Sequence, residues 1–169
     1  MAKVPQVPLW SNPAIMLFHG TTKNWVTSIL GGVNVGRALA TADFGRGFYT
    51  TTKEAQAWRW ARLKAARFNL NPAVVRFTVD RDDLAKLAFM AFVRKDSSAT
   101  DFWNFVRHCR LGGPNHSRPG QQQFYDVVVG PVVKQWGRRK IAFKDYDQVS
   151  FHTPRAATLL NNSSPKELP

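Results

Sequence analysis

Acidic residues, cysteine and long apolar runs are what this chain has least of, and each shortage excludes something. Eleven Asp and Glu stand against 24 Lys and Arg, a formal net charge of +13 and a pI near 10.6. A field of that sign repels cationic partners and speeds encounter with polyanions, so nucleic acid, an acidic protein or an anionic surface are the partners it favours. The cations gather in clusters rather than in one tail: Arg59/Arg62/Lys64/Arg67, Arg94/Lys95, Arg107/Arg110 and Lys134/Arg138/Arg139/Lys140. A merely solvated basic face would have the same composition. The single Cys109 can close no intrachain disulfide and has no second thiol with which to hold zinc, which is consistent with a reducing compartment. Cys109 and its neighbour His108 read as structural, and no metal site is expected. No segment has the apolar length of a signal-peptide core or a bilayer span, so the expectation is a cytoplasmic protein with no membrane partner.

With 169 residues and 44% apolar content, the chain is long enough to bury a core without staples. A single domain over 1–169 is expected, with an ordered body at about 14–160 and Pro-bearing ends that fray. The apolar run at 14–20 reads as a buried strand stopped by Gly20, and 23–30 as a short helix closed by Gly31-Gly32. Thr51 or Thr52 is the expected N-cap of a strong helix carrying Ala55, Trp58, Ala61 and Ala65. Alternation predicts a strand at 73–79, helices at 80–91 and 101–111, and an exposed loop at 115–122. Strands are predicted at 124–129 (ended by Gly130-Pro131), 140–144 and 148–152, then a helix at 154–160 opened by Pro154. Strands at both ends with helices between argue α+β rather than a doubly wound parallel sheet.

Three patches stand out together: His19-Gly20-Thr21 at the end of the first strand, Phe44-Gly45-Arg46-Gly47-Phe48-Tyr49 before the helix that carries Trp60, and Gln148 at the start of the last strand. The pattern resembles the ADP-ribosyltransferases of the diphtheria toxin and poly(ADP-ribose) polymerase type, whose catalytic fold is signed by His, Tyr and Glu on three separated strands. In that group a phrase like FGKGIYF precedes a helix with a second aromatic eleven residues beyond the tyrosine, and Trp60 stands at that distance from Tyr49. More narrowly, LFHGTT, DFGRGFYTTTKEAQAWRWA, YDVVVGPVV and DQVSFHT, in this order over about 130 residues, are similar to a bacterial family of uncharacterised proteins of the DUF3990 type.

The resemblance implies an α+β fold with a split β-sheet cleft and flanking helices. It also implies NAD+ as the substrate, with no metal. Tyr49 and Trp60 would hold the flat nicotinamide cation by stacking and cation–π attraction. Gly20, lacking a side chain, would bring its N–H and C=O to the carboxamide, His19 would donate to a ribose hydroxyl, and Thr21 would assist. Phe44 and Gly47, before Tyr49, would help to bind NAD+, and Arg37 and Arg46 would neutralise the pyrophosphate. Asp43 is either a turn-former or part of the site.

Gln148 departs from the family pattern. It keeps a hydrogen bond where a glutamate would also supply negative charge to an oxocarbenium-like transition state. Three readings follow: transfer of one ADP-ribose to an acceptor that needs little activation, charge supplied by Asp145, Asp147 or Asp43, or NAD+ binding without turnover. Chain extension is the least expected. The favoured acceptor is nucleic acid, held by the basic clusters. The alternatives are a protein acceptor, as for a toxin kept silent by an acidic antitoxin, and a non-catalytic basic domain that binds nucleic acid or NAD+. A 2′-phosphotransferase ranks below these, since it calls for basic residues at the three motif positions.

Overall fold

Alternation of side chains along three strands decides how the layers stack. The computed structural model describes residues 12–37, 41–93, 99–113 and 125–169. In β1 (Ile15–Thr22) Leu17 and Phe18 are both buried, on opposite faces of the strand. Its antiparallel partner β3 (Pro72–Val79) divides Val74 from Val75 in the same way. Leu17, Val75, Phe77 and Val79 turn to a core shared with a second sheet, while Phe18 and Val74 turn outward onto Ala57 and Ala61 of α2 (Glu54–Phe68). The second sheet has the order β2 (Phe48–Thr50), β6 (Ile141–Phe151), β5 (Val127–Gln135), β4 (Phe89–Ala91), antiparallel except for the β4–β5 pair. Along β5, Val127 faces the shared core and Val128 faces Phe102 and Val106 of α4 (Thr100–Arg110). The result is an α+β fold layered helix, sheet, core, sheet, helix. Each fully buried Val, Leu or Phe of that core contributes about 1.5–3 kcal/mol.

Two shorter helices close the shared core: α1 (Lys23–Leu30) with Val26, and α5 (Pro154–Asn161) with Ala156, Ala157 and Leu160. Pro154 sits in the first turn of α5, and the Thr153 hydroxyl accepts from the Ala156 amide at 3.2 Å, so this helix is capped as its sequence suggests. Between the two sheets Phe18 and Thr51 exchange backbone hydrogen bonds of 2.8 and 2.9 Å. That bridge pins β1 to the segment leading from β2 into α2, at the place where the sequence motifs converge.

Several boundaries differ from the sequence reading, each for a tertiary reason. The helix expected at 80–91 is only α3 (Arg81–Ala85), capped by the Asp80 carboxylate. The chain then pairs as β4, because the edge of β5 offers it a ladder. Gly130-Pro131 does not end β5, which runs on to Gln135. The two strands expected at 140–144 and 148–152 are one strand, β6, interrupted by an irregularity: Pro131 pairs with Asp147 but Val133 with Ala142. Neither Thr51 nor Thr52 is the N-cap of α2. Lys53 holds that position, and both threonine hydroxyls donate to Asp147 instead. The C-terminal end is not frayed either: Lys166–Glu167 forms β7 on β3, the Leu168 amide donates to the Val74 carbonyl at 2.9 Å, and Lys23 pairs with Glu167. Residues 1–11 and the loop expected at 115–122 lie outside the described residues. Among the described residues no helix is long and apolar enough to cross a membrane.

Candidate functional site

Two adjoining cavities open where the sheets meet. One, of about 360 Å³, lies between β1, the first turns of α2 and the second sheet; Gly20, Trp60 and Gln148 line it. The other, of about 710 Å³, lies towards α1 and the turn at Val35–Arg37; Thr21, Arg37 and Gly47 line it. His19, Ala42, Tyr49 and Lys64 line both, so the two are lobes of one groove with those residues at the junction. Residues far apart in sequence are thus gathered by three chain crossings: the end of β1, the start of β2 and the middle of β6.

His19 is held in one orientation. Its ring stacks on Phe48 at 4.3 Å, and Nδ1 lies 2.6 Å from the Tyr49 carbonyl oxygen. A carbonyl only accepts, so Nδ1 carries the proton and Nε2 presents a lone pair. Burial, reinforced by the Lys64 charge, lowers the imidazole pKa to about 3, which keeps the ring neutral at ordinary pH. The donating role expected for His19 therefore becomes an accepting one at Nε2. Tyr49 ties down its own loop: its hydroxyl donates to the Gly45 carbonyl at 2.6 Å and accepts from the Phe44 amide at 3.0 Å. Burial pushes this phenol well above its usual value, so the ring acts as a neutral wall.

Gln148 is part of a buried polar network. Its Nε2 donates to Asp43 Oδ2 at 2.9 Å and to the Pro131 carbonyl at 3.0 Å. Two acceptors on one atom identify it as the nitrogen, since the flipped amide would face oxygen against oxygen. Oε1 is then the atom left to the groove that Gln148 lines. The other oxygen of Asp43 takes a two-pronged contact from Arg110, and the Val133 amide donates to Oδ2 at 3.0 Å. Asp43, with 5% of its surface exposed, therefore carries its charge beside Gln148 and against a guanidinium. Asp147 is committed elsewhere. It accepts from Thr51, Thr52 and the Thr52 amide, and its backbone pairs reciprocally with the Gln56 side chain. That latch fixes β6 to the start of α2. Asp145 is exposed and does not line the groove.

The glycines have packing reasons of their own. A Cβ on Gly20 would sit 2.1 Å from the Ala57 carbonyl oxygen, so glycine there lets α2 lie directly on β1. The Gly20 carbonyl already accepts from Lys64 Nζ at 2.8 Å, leaving one lone pair for any ligand. A Cβ on Gly47 would meet His152 and the Phe151 carbonyl at 2.6–2.7 Å. Phe44 does not reach the groove; it is fully buried among Phe92, Phe102 and Phe105 and supports the wall from behind. Arg37 lines the larger lobe and donates to Ser28 at 3.1 Å, whereas Arg46 is exposed and lines neither. Cys109 is buried, its thiol pushed up to about 12 by burial, which leaves it inert.

Sequence reasoning missed two charged groove residues, Lys64 and Arg110. The signal for Lys64 was available: Gln56, Trp60 and Lys64 recur every four residues, one stripe of α2. Burial depresses the Lys64 pKa, the mark of an ammonium partly withdrawn from water. Arg110 had no such signal, because its partner Asp43 is 67 residues away. A family model described as "Protein of unknown function (DUF3990)" matches residues 15–142, 128 of the 169 residues, a span that ends before Gln148. No curated protein matches the chain.

Proposed function

This chain belongs to the DUF3990 family, and we propose that its groove binds NAD+ and transfers ADP-ribose to a macromolecular acceptor, with nucleic acid favoured. The observation that carries the reading is the two-lobed groove with His19, Tyr49 and Lys64 at its junction. NAD+ is likewise two nucleosides joined by an anionic bridge. Lys64 and Arg37 supply positive charge for the pyrophosphate. Tyr49 and Trp60 supply aromatic surface to the smaller lobe for the nicotinamide. His19 Nε2 and Gln148 Oε1 are both acceptors, suited to ribose hydroxyls.

In the reaction the bond from the ribose C1″ to the nicotinamide nitrogen breaks, nicotinamide leaves with the electron pair, and an acceptor oxygen or nitrogen bonds to C1″ and releases its proton. Of the three acids considered for the missing charge, Asp147 is engaged by threonines and Asp145 stands outside the groove. Asp43 is the one beside Gln148, and Arg110 offsets much of its field. This favours a single transfer to an acceptor that is already nucleophilic, since among the described residues the carboxylate that lines the groove, Asp43, is held by Arg110.

The test is to incubate the protein with NAD+ labelled in the adenylate half and a whole-cell lysate, then treat the product with nuclease or protease. Label released by nuclease is the expected result; label released by protease moves the acceptor to protein and favours the toxin reading with an acidic antitoxin. Intact NAD+ with no macromolecular label would refute transfer and leave a silent NAD+-binding domain. Tyr49→Ala and His19→Ala are expected to abolish labelling.

A further inference from the structure

The irregularity in β6 builds something the fold does not need. Between the Pro131–Asp147 and Val133–Ala142 pairs, four residues, 143–146, oppose Val132 alone. Three residues apart on a regular strand, Phe143 and Tyr146 would point to opposite faces; the bulge turns them to the same side. Their rings stack at 4.9 Å with 18° between planes. Arg59 lies over Tyr146 at 5.8 Å and Lys134 over Phe143 at 5.9 Å, giving a column of cation, ring, ring, cation. Lys53 Nζ donates to the Asp145 carbonyl at 2.6 Å and fastens the excursion to the start of α2. Neither ring belongs to any of the buried clusters.

The column adjoins the lining of the smaller lobe along three elements. Lys134 follows Val133, Arg59 precedes Trp60, and Tyr146 stands two residues before Gln148, all three neighbours being groove-lining residues. The hairpin beyond it carries Trp136, 36% exposed, then exposed Arg138, Arg139 and Lys140. Asp147, the acid nearest in sequence to Tyr146 on the groove side, has both carboxylate oxygens engaged by threonines.

We propose that this surface, Arg59, Tyr146, Phe143 and Lys134 with Trp136 beyond, docks a single-stranded nucleic acid and leads it to the groove as the acceptor. Two stacked rings hold the cations in place as phosphate contacts, and the open indole offers a face to a base. A duplex would use the cations alone; interleaved aromatics suit a strand whose bases are unpaired. The purpose assigned to the surface rests on the NAD+ reading, but its binding does not.

The experiment is fluorescence anisotropy of a labelled single-stranded RNA of mixed sequence with the full chain, without NAD+, across a salt series. An Arg59→Ala/Lys134→Ala variant is compared with Arg81→Ala/Lys86→Ala, which removes the same charge from α3 and its C-cap. Losing two single-strand phosphate contacts lowers the slope of log K against log salt by about 1.4, or about 25-fold in affinity at 0.1 M salt. The α3 pair leaves both nearly unchanged, and Trp136→Ala weakens binding about fivefold or more. Equal losses from the two pairs would show diffuse charge and overturn the proposal, as would a polyglutamate chain that binds as tightly as the RNA. NAD+ turnover by the parent chain, measured separately, distinguishes the two claims: a parent that turns over NAD+ but binds no RNA sinks only the docking surface, and one that binds RNA as described but leaves NAD+ intact sinks only the NAD+ reading.

Discussion

Replacing Gln148 with glutamate looks, on motif grounds, like restoring a missing catalytic charge, and the structure argues that alone it will fail. The new oxygen would occupy the place of Nε2, 2.9 Å from Asp43 Oδ2 and 3.0 Å from the Pro131 carbonyl. Two carboxylates at that distance repel by about 6 kcal/mol at an effective dielectric of 20. Protonating one carboxyl of ordinary pKa at pH 7 costs about 4 kcal/mol, which is less, so the pair takes up a proton instead. The expected penalty at neutral pH is therefore about 4 kcal/mol, a fall in Tm of about 8–16 °C. Its pH dependence has a definite sign. The shared carboxyl has a folded pKa raised above its unfolded value, so the folded state binds the extra proton and stability falls as pH rises. Below about pH 4, where the unfolded carboxyl is protonated too, Gln148→Glu should approach the parent. Adding Asp43→Asn moves the charge by one hydrogen bond rather than doubling it. The double variant should recover about half of the stability, short about 1 kcal/mol for each of the two hydrogen bonds it lacks, from the Val133 amide and to the Pro131 carbonyl, and should hydrolyse NAD+ faster than the parent while the single variant does not. Thermal melts from pH 4 to 8, with nicotinamide release, read both. A single variant as stable as the parent at pH 8, or more active than it, would refute the reasoning.

Other expectations rest on separate contacts. Gly20→Ala sets a Cβ 2.1 Å from a backbone oxygen of α2, and should cost about 3 kcal/mol or more in urea unfolding; a loss below about 1 kcal/mol would mean that α2 shifts freely. His19→Asn keeps a donor to the Tyr49 carbonyl but removes the Nε2 acceptor, so NAD+ binding by calorimetry should weaken about tenfold. Because the folded His19 pKa is lowered to about 3, the unfolded chain takes up a proton from about pH 6.5 downward and stability is lost as pH falls through that window. His19→Asn should flatten that acid limb, and an unchanged limb would exclude His19 as its source. Lys64→Met removes the junction cation and should weaken NAD+ binding without lowering Tm, since a desolvated ammonium gives way to an apolar chain; a variant that binds as tightly would move the pyrophosphate elsewhere.

Local signals carried the fold as far as local energetics decide it. Helices α1, α4 and α5 lie within a residue of their expected bounds because caps, glycine stops and periodicity act within a turn or two. The exceptions lie where a partner strand overrides propensity. The Ala-rich tail of the helix expected at 80–91 yields to the edge of β5, and Lys166–Glu167, polar and beside a proline, becomes a strand because β3 leaves an edge open. No pattern within either segment announces its neighbour.

The site divides along the same line. His19, Tyr49, Trp60 and Gln148 were visible because each sits in a short motif, and the folded chain gathers all four around one groove. What the motifs could not convey is how their polar atoms are committed. Asp43 and Gln148 are 105 positions apart, and Asp43 and Arg110 are 67, yet the three form one hydrogen-bonded unit. Read alone, Gln148 is a glutamate that has lost its charge. In the structure that charge stands one hydrogen bond away, on Asp43, and the amide is the spacer that lets a carboxylate sit there without a second one against it. On the proposed NAD+ reading, the quantity that matters is therefore the charge of the Asp43–Gln148 pair, and a substitution at either position acts on both.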